Sequence, residues 1–413
     1  MNSKLTWLAK FKDKQTIDIV KLLLFFTIIF TLSINLFYKI SLSGAYVNGL
    51  LVDYLIPKIY LTELFLIPFL IIEFKQLKSI KLSNYFGFLV LLLLSRQLCV
   101  PNTLAAFTHL IHFIEIILFF SVVKRDPIFK SKIAEEFALG AMFATLIFQS
   151  LLAIYQFIFQ ESLLKYQILG ETNLKDLANI SRAQFFFGER ILPYGTTAHP
   201  NILAGLIVIF SILIIQQIKG CKKTIIALLA NALLIIYLTQ SLTALLTLGL
   251  FGLYLLLDKI KAQRTVIIFI VYYFFVLLLP FFLTKMTPNE DNFYVDSLER
   301  RVTLNQAALT MFEKNMIFGV GINNFTLELE KYTNNSAYKE IVRFVQPAHN
   351  LLFLMLSEGG LLLLTVLFLL IKQLRVKHFY SKSMILLAIA SLDHYLFTQF
   401  SGLGLLALFY LFI

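Results

Sequence analysis

Long apolar runs recur along the whole chain and alternate with short polar segments that are rich in lysine and arginine. A run of about 20 residues is long enough for a helix to cross about 30 Å of hydrocarbon. The pattern predicts twelve membrane-spanning helices, with the seventh and eighth joined by a tight turn at "TQSLT". The predicted spans are 17–39, 55–74, 82–98, 104–123, 134–160, 200–218, 223–240, 242–258, 264–284, 349–371, 380–397 and 400–413. We therefore expect an all-α polytopic membrane protein that forms one integral membrane domain over residues 1–413.

The composition excludes a soluble protein of this size. Of the 413 residues, 59% are hydrophobic and only 15% are charged, and the mean hydropathy is +0.80. No cleavable signal is evident behind the N-terminal basic residues, so the first span is expected to be retained. The net charge of +12 does not indicate a nucleic-acid partner, because the lysines and arginines lie in short clusters between apolar runs.

Those basic clusters predict the orientation of the chain in the membrane. They occur at the N-terminus and then on alternate connections, around residues 75–81, 124–132, 219–223, 259–264 and 372–382. The short connections on the other side carry few basic residues. By the positive-inside rule, both termini face the cytoplasm. Cys99 and Cys221 then fall at opposite faces, so no disulfide is expected between them.

Two longer connections, 161–199 and 285–348, are predicted on the external side. Long loops escape the charge rule, so orientation does not account for their arginines. Several guanidinium groups that converge on one face would form an anion site, because their forked donors match phosphate oxygens. The candidates in these two loops are Arg182, Arg190, Arg300, Arg301 and Arg343.

The second long loop contains a predicted surface helix. The stretch "SLERRVTLNQAALTMFEKN" places apolar residues at helical spacing, with Ser297 as its expected N-cap. The following "GVGINNF" predicts a glycine turn. We therefore expect a helix near the membrane surface, followed by that turn and by a more polar stretch.

His349 lies at the predicted external end of the tenth span, in "RFVQPAHNLLFLMLSEGG". The preceding Pro347 suits the first turn of a helix, so His349 has one interpretation as an interfacial cap. The other interpretation is a general base, because an imidazole can accept a proton from a hydroxyl at neutral pH. Position alone leaves both open.

Other polar residues in apolar surroundings are weaker candidates. His109, His112 and Glu115 share one face of the fourth span, which suits interhelical hydrogen bonding, a proton relay or a metal site. Asp393 and His394 lie near the external end of the eleventh span, where an intramembrane carboxylate is a functional candidate. The segment "TTAHPNILAGL" starts the sixth span at Pro200 and contains further polar residues, among them His199 and Asn201.

Two of these stretches together resemble the signature of the bacterial O-antigen ligase and O-antigen polymerase (Wzy) superfamily. They are "RRVTLNQAALTMFEKNMIFGVGINNF" and, about 25 residues later, "PAHNLLFLMLSEGGLLLL". An upstream "GTTAHPNILAGL" element and the predicted topology are also similar. The resemblance implies a GT-C-like fold with a large periplasmic loop between spans nine and ten.

The resemblance implies an inner-membrane glycosyltransferase with a periplasmic active site. Such an enzyme moves a glycan from undecaprenyl diphosphate with inversion, without a metal or other cofactor. A ligase transfers the glycan to a sugar hydroxyl of lipid A–core, and a polymerase transfers it to another lipid-linked repeat unit. The implied partners are thus the lipid-linked donor, one of these acceptors and membrane lipids, with no nucleic acid.

The resemblance also assigns roles to residues. His349 matches an essential histidine, and Arg301 matches an essential arginine one helix before the "GVG" turn, with Arg300 adjacent. A second essential arginine comes from the earlier external loop. Arg190 is nearest to it and Arg182 is the alternative, because the position that the family pattern favours is Leu192 here. The substrate-binding candidates are Arg300, Arg182, Arg343, His199, Asn201 and Asn350.

The leading hypothesis is a ligase-type glycosyltransferase, and the alternative is a polymerase that joins lipid-linked repeat units of an O-antigen or exopolysaccharide. A transporter or flippase would also suit twelve spans. Transporters usually carry charges near the membrane midplane and show repeat symmetry, whereas here the charges are external and the two halves look unlike. A non-catalytic envelope scaffold would leave His349 and the external arginines unexplained.

Overall fold

The part of the chain that the structure describes is mostly helical, at 73% of its residues, with few strands. The computed structural model describes residues 2–78, 83–164, 166–175, 180–218, 221–259, 264–279, 282, 293–333, 345–376 and 379–413. Within these ranges the helices are α1 Asn2–Thr31, α2 Glu63–Ile72, α3 Phe74–Lys78, α4 Asn84–Arg96, α5 Thr103–Arg125, α6 Lys132–Phe159, α7 Tyr166–Leu169, α8 Pro200–Gln217, α9 Lys222–Thr239, α10 Leu242–Lys259, α11 Arg264–Tyr273, α12 Phe293–Lys314, α13 Phe325–Glu328, α14 Leu351–Leu374, α15 Phe379–Leu392, α16 Tyr395–Thr398 and α17 Phe400–Phe412. The strands are β1 Phe37–Lys39, β2 Tyr46–Val47, β3 Leu50–Leu51, β4 Lys58–Tyr60, β5 Arg182–Phe185 and β6 Gly188–Ile191.

Five of the described helices are long and apolar enough to cross a membrane, namely α5, α6, α8, α9 and α14. Shorter apolar helices of 10 to 17 residues lie at several other predicted spans. These features are those of an all-α membrane protein. The number of twelve crossings and the periplasmic position of the long loops stay predictions.

Two predicted spans are wrong at their ends. The first was expected over 17–39, but α1 ends at Thr31 and residues 37–39 form β1. The second was expected from residue 55, but β4 occupies 58–60 and α2 begins at Glu63. The two strands pair antiparallel, with Tyr38 opposite Ile59. Pairing satisfies the backbone groups on the facing edges of the two strands, and hydropathy cannot distinguish a short apolar strand from the end of a helix.

The core of the bundle is centred on α8. Its most apolar window is 78% buried, which is the highest share among the five long apolar helices. It is packed by α6, α9, α10 and α17. The tight connection between α9 and α10 is confirmed, because Gln240 ends α9 in the left-handed region, with φ of 52°. α8 is thus packed by four helices, and the candidate residues His199 and Asn201 lie at its start.

The predicted surface helix exists, but its predicted start is wrong. α12 begins at Phe293, so Ser297 lies inside the helix and does not cap it. The preceding residues Phe293–Asp296 contain no proline or glycine that would end the helix at Ser297. α12 packs along α14. This contact places the two adjacent arginines of α12 beside the helix that follows His349.

The glycine turn after α12 interlocks with a break in α14. Gly360 has φ of 60° and ψ of −160°, a conformation that interrupts the helix and frees backbone groups around it. Those groups pair with residues 316–321. The bonds run from Val320 N–H to Ser357 O (2.8 Å), Gly321 N–H to Glu358 O (2.9 Å), Leu361 N–H to Met316 O (2.9 Å) and Leu362 N–H to Ile317 O (3.0 Å). The turn and the broken helix therefore form one backbone unit.

The buried carboxylate of Glu358 strengthens this junction. Its Oε1 accepts hydrogen bonds from the Phe325 N–H at 3.0 Å and from the Tyr54 hydroxyl. Glu358 is fully buried. The side chain thus connects α14 to the start of α13 and to the loop before β4. The predicted polar stretch after α13 lies largely outside the described residues.

Candidate functional site

His349 directly precedes α14 and does not lie in its first turn. The N-cap is Asn350, whose Oδ1 accepts from the Phe353 N–H at 3.2 Å and whose Nδ2 donates to the Val276 carbonyl at 3.1 Å. The interpretation of His349 as the helix cap is therefore wrong. Asn350 uses both of its polar side-chain atoms in the fold, so the neighbouring imidazole is not needed to cap the helix.

The imidazole of His349 is half-buried and faces His394. The two ring centroids are 5.0 Å apart and the ring planes are inclined at 77°. The Nδ1 atom of His349 is buried and has no hydrogen-bond partner in the part of the chain that the structure describes. A buried imidazole nitrogen without a partner is costly unless a ligand completes it. This nitrogen is therefore the strongest candidate in the cluster for accepting a proton.

His394 lies in a two-residue break between α15 and α16. Its Nδ1 is 2.7 Å from the Thr398 hydroxyl, and its backbone N–H donates to Asp393 Oδ1 at 2.8 Å. The helix stops at Leu392, and beyond it the ring of His394 faces His349 while the carboxylate of Asp393 faces Asn201. The break thus places an imidazole beside His349 and a carboxylate near Asn201 and Arg301.

The segment before α8 joins the same cluster. His199 is the N-cap of α8, and its Nδ1 accepts from the Asn201 N–H at 3.1 Å, with Pro200 as the first helical residue. Its Nε2 lies 3.3 Å from the Ser181 hydroxyl. Asn201 in turn donates to Asp393 Oδ2 at 3.4 Å. Three chain segments that are remote in sequence therefore meet around His349.

Arg301 supplies positive charge to this cluster. It lies in the third turn of α12, next to Arg300. It interacts electrostatically with Asp393. Burial lowers the pKa of its guanidinium, which the carboxylate of Asp393 opposes. Arg301 remains charged at neutral pH, because a guanidinium titrates only above about pH 12. The cluster thus contains a permanent cation close to the imidazoles.

These surroundings lower the pKa values of His349 and His199. Burial lowers the pKa of His349 well below 6.5, and the nearby His394, Arg301, His199 and Arg300 lower it further. Burial likewise lowers the pKa of His199 to about 4, although Asp393 opposes the shift. Both imidazoles are therefore neutral at pH 7. A neutral His349 can accept a proton as soon as an acceptor hydroxyl reaches it.

The two arginines of the first long loop lie on a hairpin formed by β5 and β6. Arg182 pairs with Ile191 and Arg190 pairs with Ala183, so the two side chains point to opposite faces. Arg182 is exposed and its Nη1 lies 3.3 Å from Glu189 Oε2. Arg190 is half-buried and lies over the Phe187 ring, 5.4 Å from its centroid. Arg343 lies outside the described residues.

The polar residues of α5 form a separate group. His112 Nε2 is 3.1 Å from the Lys58 carbonyl and 3.5 Å from Glu63 Oε2. His109 stacks edge-on against Phe397 at 5.0 Å. Among the described residues, no cluster of histidine, cysteine and carboxylate side chains could hold a metal ion. These contacts favour interhelical hydrogen bonding over the metal-site interpretation of the sequence.

Asp393 and His394 belong to the observed cluster, although the sequence indicates them only as weaker candidates outside the predicted site. An ionisable pair inside an apolar segment was the available signal. Its proximity to His349 depends on the break between α15 and α16, which the hydropathy pattern does not reveal.

The comparison with protein families places part of this cluster in a known domain. Residues 226–369 match the family Wzy_C, described as O-antigen ligase. The matched segment contains Arg300, Arg301 and His349, whereas His199 and Asp393 lie outside it. No curated protein matches the chain significantly. Over this segment the chain is thus similar to the O-antigen ligase family, and the match confirms the predicted resemblance to the O-antigen ligase and polymerase superfamily.

Proposed function

We propose that this protein is an O-antigen ligase-type glycosyltransferase. It moves a glycan from undecaprenyl diphosphate to a sugar hydroxyl of lipid A–core at the periplasmic face of the inner membrane. The observation that carries the proposal is the arrangement at His349. Its Nδ1 has no partner among the described residues, and Arg301 and Arg300 are among the charges that act on it. The family match over the segment that holds all three residues supports the same reaction class.

The proposed base is the neutral imidazole of His349. It accepts the proton of the acceptor hydroxyl while the hydroxyl oxygen forms a bond to the anomeric carbon of the donor sugar. The bond from that carbon to the diphosphate oxygen breaks, and its electron pair remains on the diphosphate. Attack from the face opposite the leaving group inverts the configuration. The proton then stays on His349 until water or another base removes it.

Arginines stabilise the leaving group in this scheme. Negative charge grows on the diphosphate as the sugar–oxygen bond breaks, and donors that are already in place lower the barrier most effectively. Arg301 lies on α12, which packs on α14, and the carboxylate of Asp393 favours its charged form, so a cation is already in place before the bond breaks. Burial is the main reason that His349 is neutral, and the charge of Arg301 adds to this effect. One residue therefore serves the leaving group and the protonation state of the base.

A His349→Ala variant tests the chemistry. We expect it to abolish glycan transfer while the protein is still inserted in the membrane and folded, because the imidazole makes no hydrogen bond at Nδ1 within the described residues. Gln346→Ala is the matched control, since Gln346 is exposed three residues earlier in the same segment. Full transfer by the His349→Ala variant would show that the base is elsewhere.

Deletion of the gene separates the ligase from the polymerase, which share the family match. If the protein is a ligase, lipid A–core loses all O-antigen and long lipid-linked polymer accumulates. If it is a polymerase, products with a single repeat unit remain. The second outcome would overturn the ligase proposal and retain the reaction class.

A further inference from the structure

The hairpin of β5 and β6 ends in an aromatic tip. Phe185 pairs with Gly188, so Phe186 and Phe187 form a two-residue turn between the strands. The side chain of Phe186 is fully exposed, at 104% of its reference area, and Phe187 is 53% exposed. A large apolar side chain that projects this far from a short turn is unfavourable in water. The tip therefore needs an apolar environment outside the protein.

The tip lies at the ends of two membrane helices. Phe185 contacts Phe157 with ring centroids 5.0 Å apart and Tyr237 with centroids 5.6 Å apart. Phe187 also contacts Phe157, at 6.1 Å. Phe157 belongs to the last turn of α6 and Tyr237 to the last turn of α9, and both helices are long and apolar enough to span a membrane. The hairpin is thus fixed against the last turns of two helices that are candidates for spanning the membrane.

The surface around the tip is continuous with the outward faces of these helices. Ile158 and Phe159 at the end of α6 are each 59% exposed, and Tyr237 at the end of α9 is 51% exposed. Apolar side chains on the outer surface of a membrane helix face lipid, and aromatic rings are enriched where the helix meets the headgroups. The exposed rings of Phe186 and Phe187 add to this aromatic surface.

We propose that the hairpin tip inserts into the lipid–water interface beside α6 and α9. The ring of Phe186 occupies the boundary between headgroups and acyl chains, and the rest of the hairpin remains above it. The partner is the lipid interface itself, because the tip continues a surface that the two helices already present to lipid.

The charge on the hairpin fits this partner. Arg190 lies over the face of Phe187, with Cζ 5.4 Å from the ring centroid. Stacking on an aromatic ring keeps a guanidinium partly desolvated while its edge remains available to headgroup oxygens. Arg182 adds a second exposed cation on the other face of the hairpin. A short turn with aromatic rings at its tip and arginines behind it matches the order of acyl chains and phosphates in a leaflet.

The insertion has a structural link to the catalytic cluster but does not depend on the proposed reaction. Ser181, at the base of the hairpin, contacts His199 Nε2 at 3.3 Å and accepts from the Tyr194 hydroxyl. The membrane contact therefore fixes the height of this end of the cluster relative to the headgroups. It can be measured on the protein without any glycan substrate.

Fluorescence of a single tryptophan tests the insertion. The native chain has one tryptophan, Trp7, so Trp7→Phe provides a dark background for Phe186→Trp. The purified full-length protein is reconstituted in bilayers that contain lipids brominated near the headgroup or deep in the acyl chain. Lys175→Trp in the same background is the matched control, because Lys175 lies in the same long loop and its side chain is 66% exposed.

We expect the emission of the Phe186→Trp variant to be blue-shifted. Lipids brominated near the headgroup should quench it more than lipids brominated deep in the acyl chain, and aqueous iodide should quench it little. The Lys175→Trp variant should show the reverse sensitivity. Emission of the Phe186→Trp variant that iodide quenches and brominated lipids do not would overturn the proposal. Protection that appears only after a glycan is added would also overturn it, since the tip would then bind sugar rather than lipid.

Discussion

The imidazole rings of His349 and His394 meet edge to face, with centroids 5.0 Å apart and planes at 77°. The two residues are far apart in sequence and come from the ends of different helices, α14 and α15. Two imidazoles this close cannot both carry a charge easily, particularly when Arg301 and Arg300 are nearby. The pair is therefore neutral at pH 7, and His349 is available as a weak base without prior deprotonation.

This arrangement predicts the pH dependence of transfer. Burial and the neighbouring cations hold the pKa of His349 well below 6.5, so the neutral form is lost only when the pH falls through that lowered value. We expect the acid limb of the rate–pH profile to lie below pH 6.5. In an Arg300→Gln variant one positive charge is removed, the pKa of His349 rises, and the acid limb moves to higher pH. Initial rates of transfer in isolated membranes across this pH range locate the acid limb of the unmodified enzyme and of the variant.

An acid limb that stays in place or moves to lower pH in the Arg300→Gln variant would contradict this electrostatic account. The unmodified enzyme is the reference, and the comparison needs only the position of the limb. It is therefore insensitive to any general loss of rate in the variant.

The guanidinium geometry of Arg301 predicts that lysine cannot replace it. An ammonium keeps the charge but loses the planar pair of donors that matches two diphosphate oxygens. Loss of one charged hydrogen bond, about 1.5–3 kcal/mol, corresponds to a fall in rate of roughly 10- to 100-fold. We expect this fall in kcat of Arg301→Lys, measured with a lipid-linked donor. Arg125→Lys, at the far end of α5, is the control, and equal activity of both variants would remove Arg301 from the mechanism.

The local parts of the site were predictable from sequence, and the long-range parts were not. His349 and Arg301 lie in short stretches whose residue pattern carries a resemblance, so their candidacy did not require a structure. The approach of Asp393 to Asn201 at 3.4 Å depends on the exact residue at which α15 ends. Hydropathy predicts that a helix exists there and locates its end only to within several residues.

The two wrong predictions of helix N-caps, at Ser297 and His349, have a similar cause. Ser297 has the chemistry of an N-cap, but a cap forms only where the helix actually begins, and α12 begins at Phe293. His349 was expected at the first turn of its helix because of Pro347, yet Asn350 provides the better cap one residue later. In both cases several residues could have played the local role, and tertiary packing selected one of them.

The junction between the glycine turn and α14 predicts a strong effect of Gly360→Ala on stability. A Cβ at Gly360 would lie 2.4 Å from the Ile317 carbonyl oxygen, and the backbone conformation is one that only glycine adopts readily. We expect a cost of about 1–3 kcal/mol or more, and a lower thermal unfolding midpoint for the protein in detergent. Transfer should also fall, because the same junction aligns α12 with α14.

Gly249→Ala is the matched control for this prediction. Gly249 lies inside α10, and a Cβ there would meet nothing within 4 Å. Alanine should therefore be neutral or should stabilise the helix by up to about 1 kcal/mol. Equal midpoints for the two variants would mean that the junction is free to adjust and does not fix the position of α12.

The geometry of the hairpin distinguishes between Arg182 and Arg190, the two candidates for binding the diphosphate from the first long loop. Arg182 already contacts Glu189 and points away from Ala183 and Phe185, which pack on the main core. Arg190 shares the face of those two residues and has no carboxylate partner among its described contacts.

We therefore expect Arg190→Ala to reduce transfer about tenfold more than Arg182→Ala, which is the effect of losing one charged hydrogen bond of about 1.5 kcal/mol. The measurement is the apparent kcat/KM for the lipid-linked donor in matched membranes. A larger loss in Arg182→Ala would mean that the diphosphate approaches the opposite face of the hairpin, and the role proposed for Arg190 would then pass to Arg182.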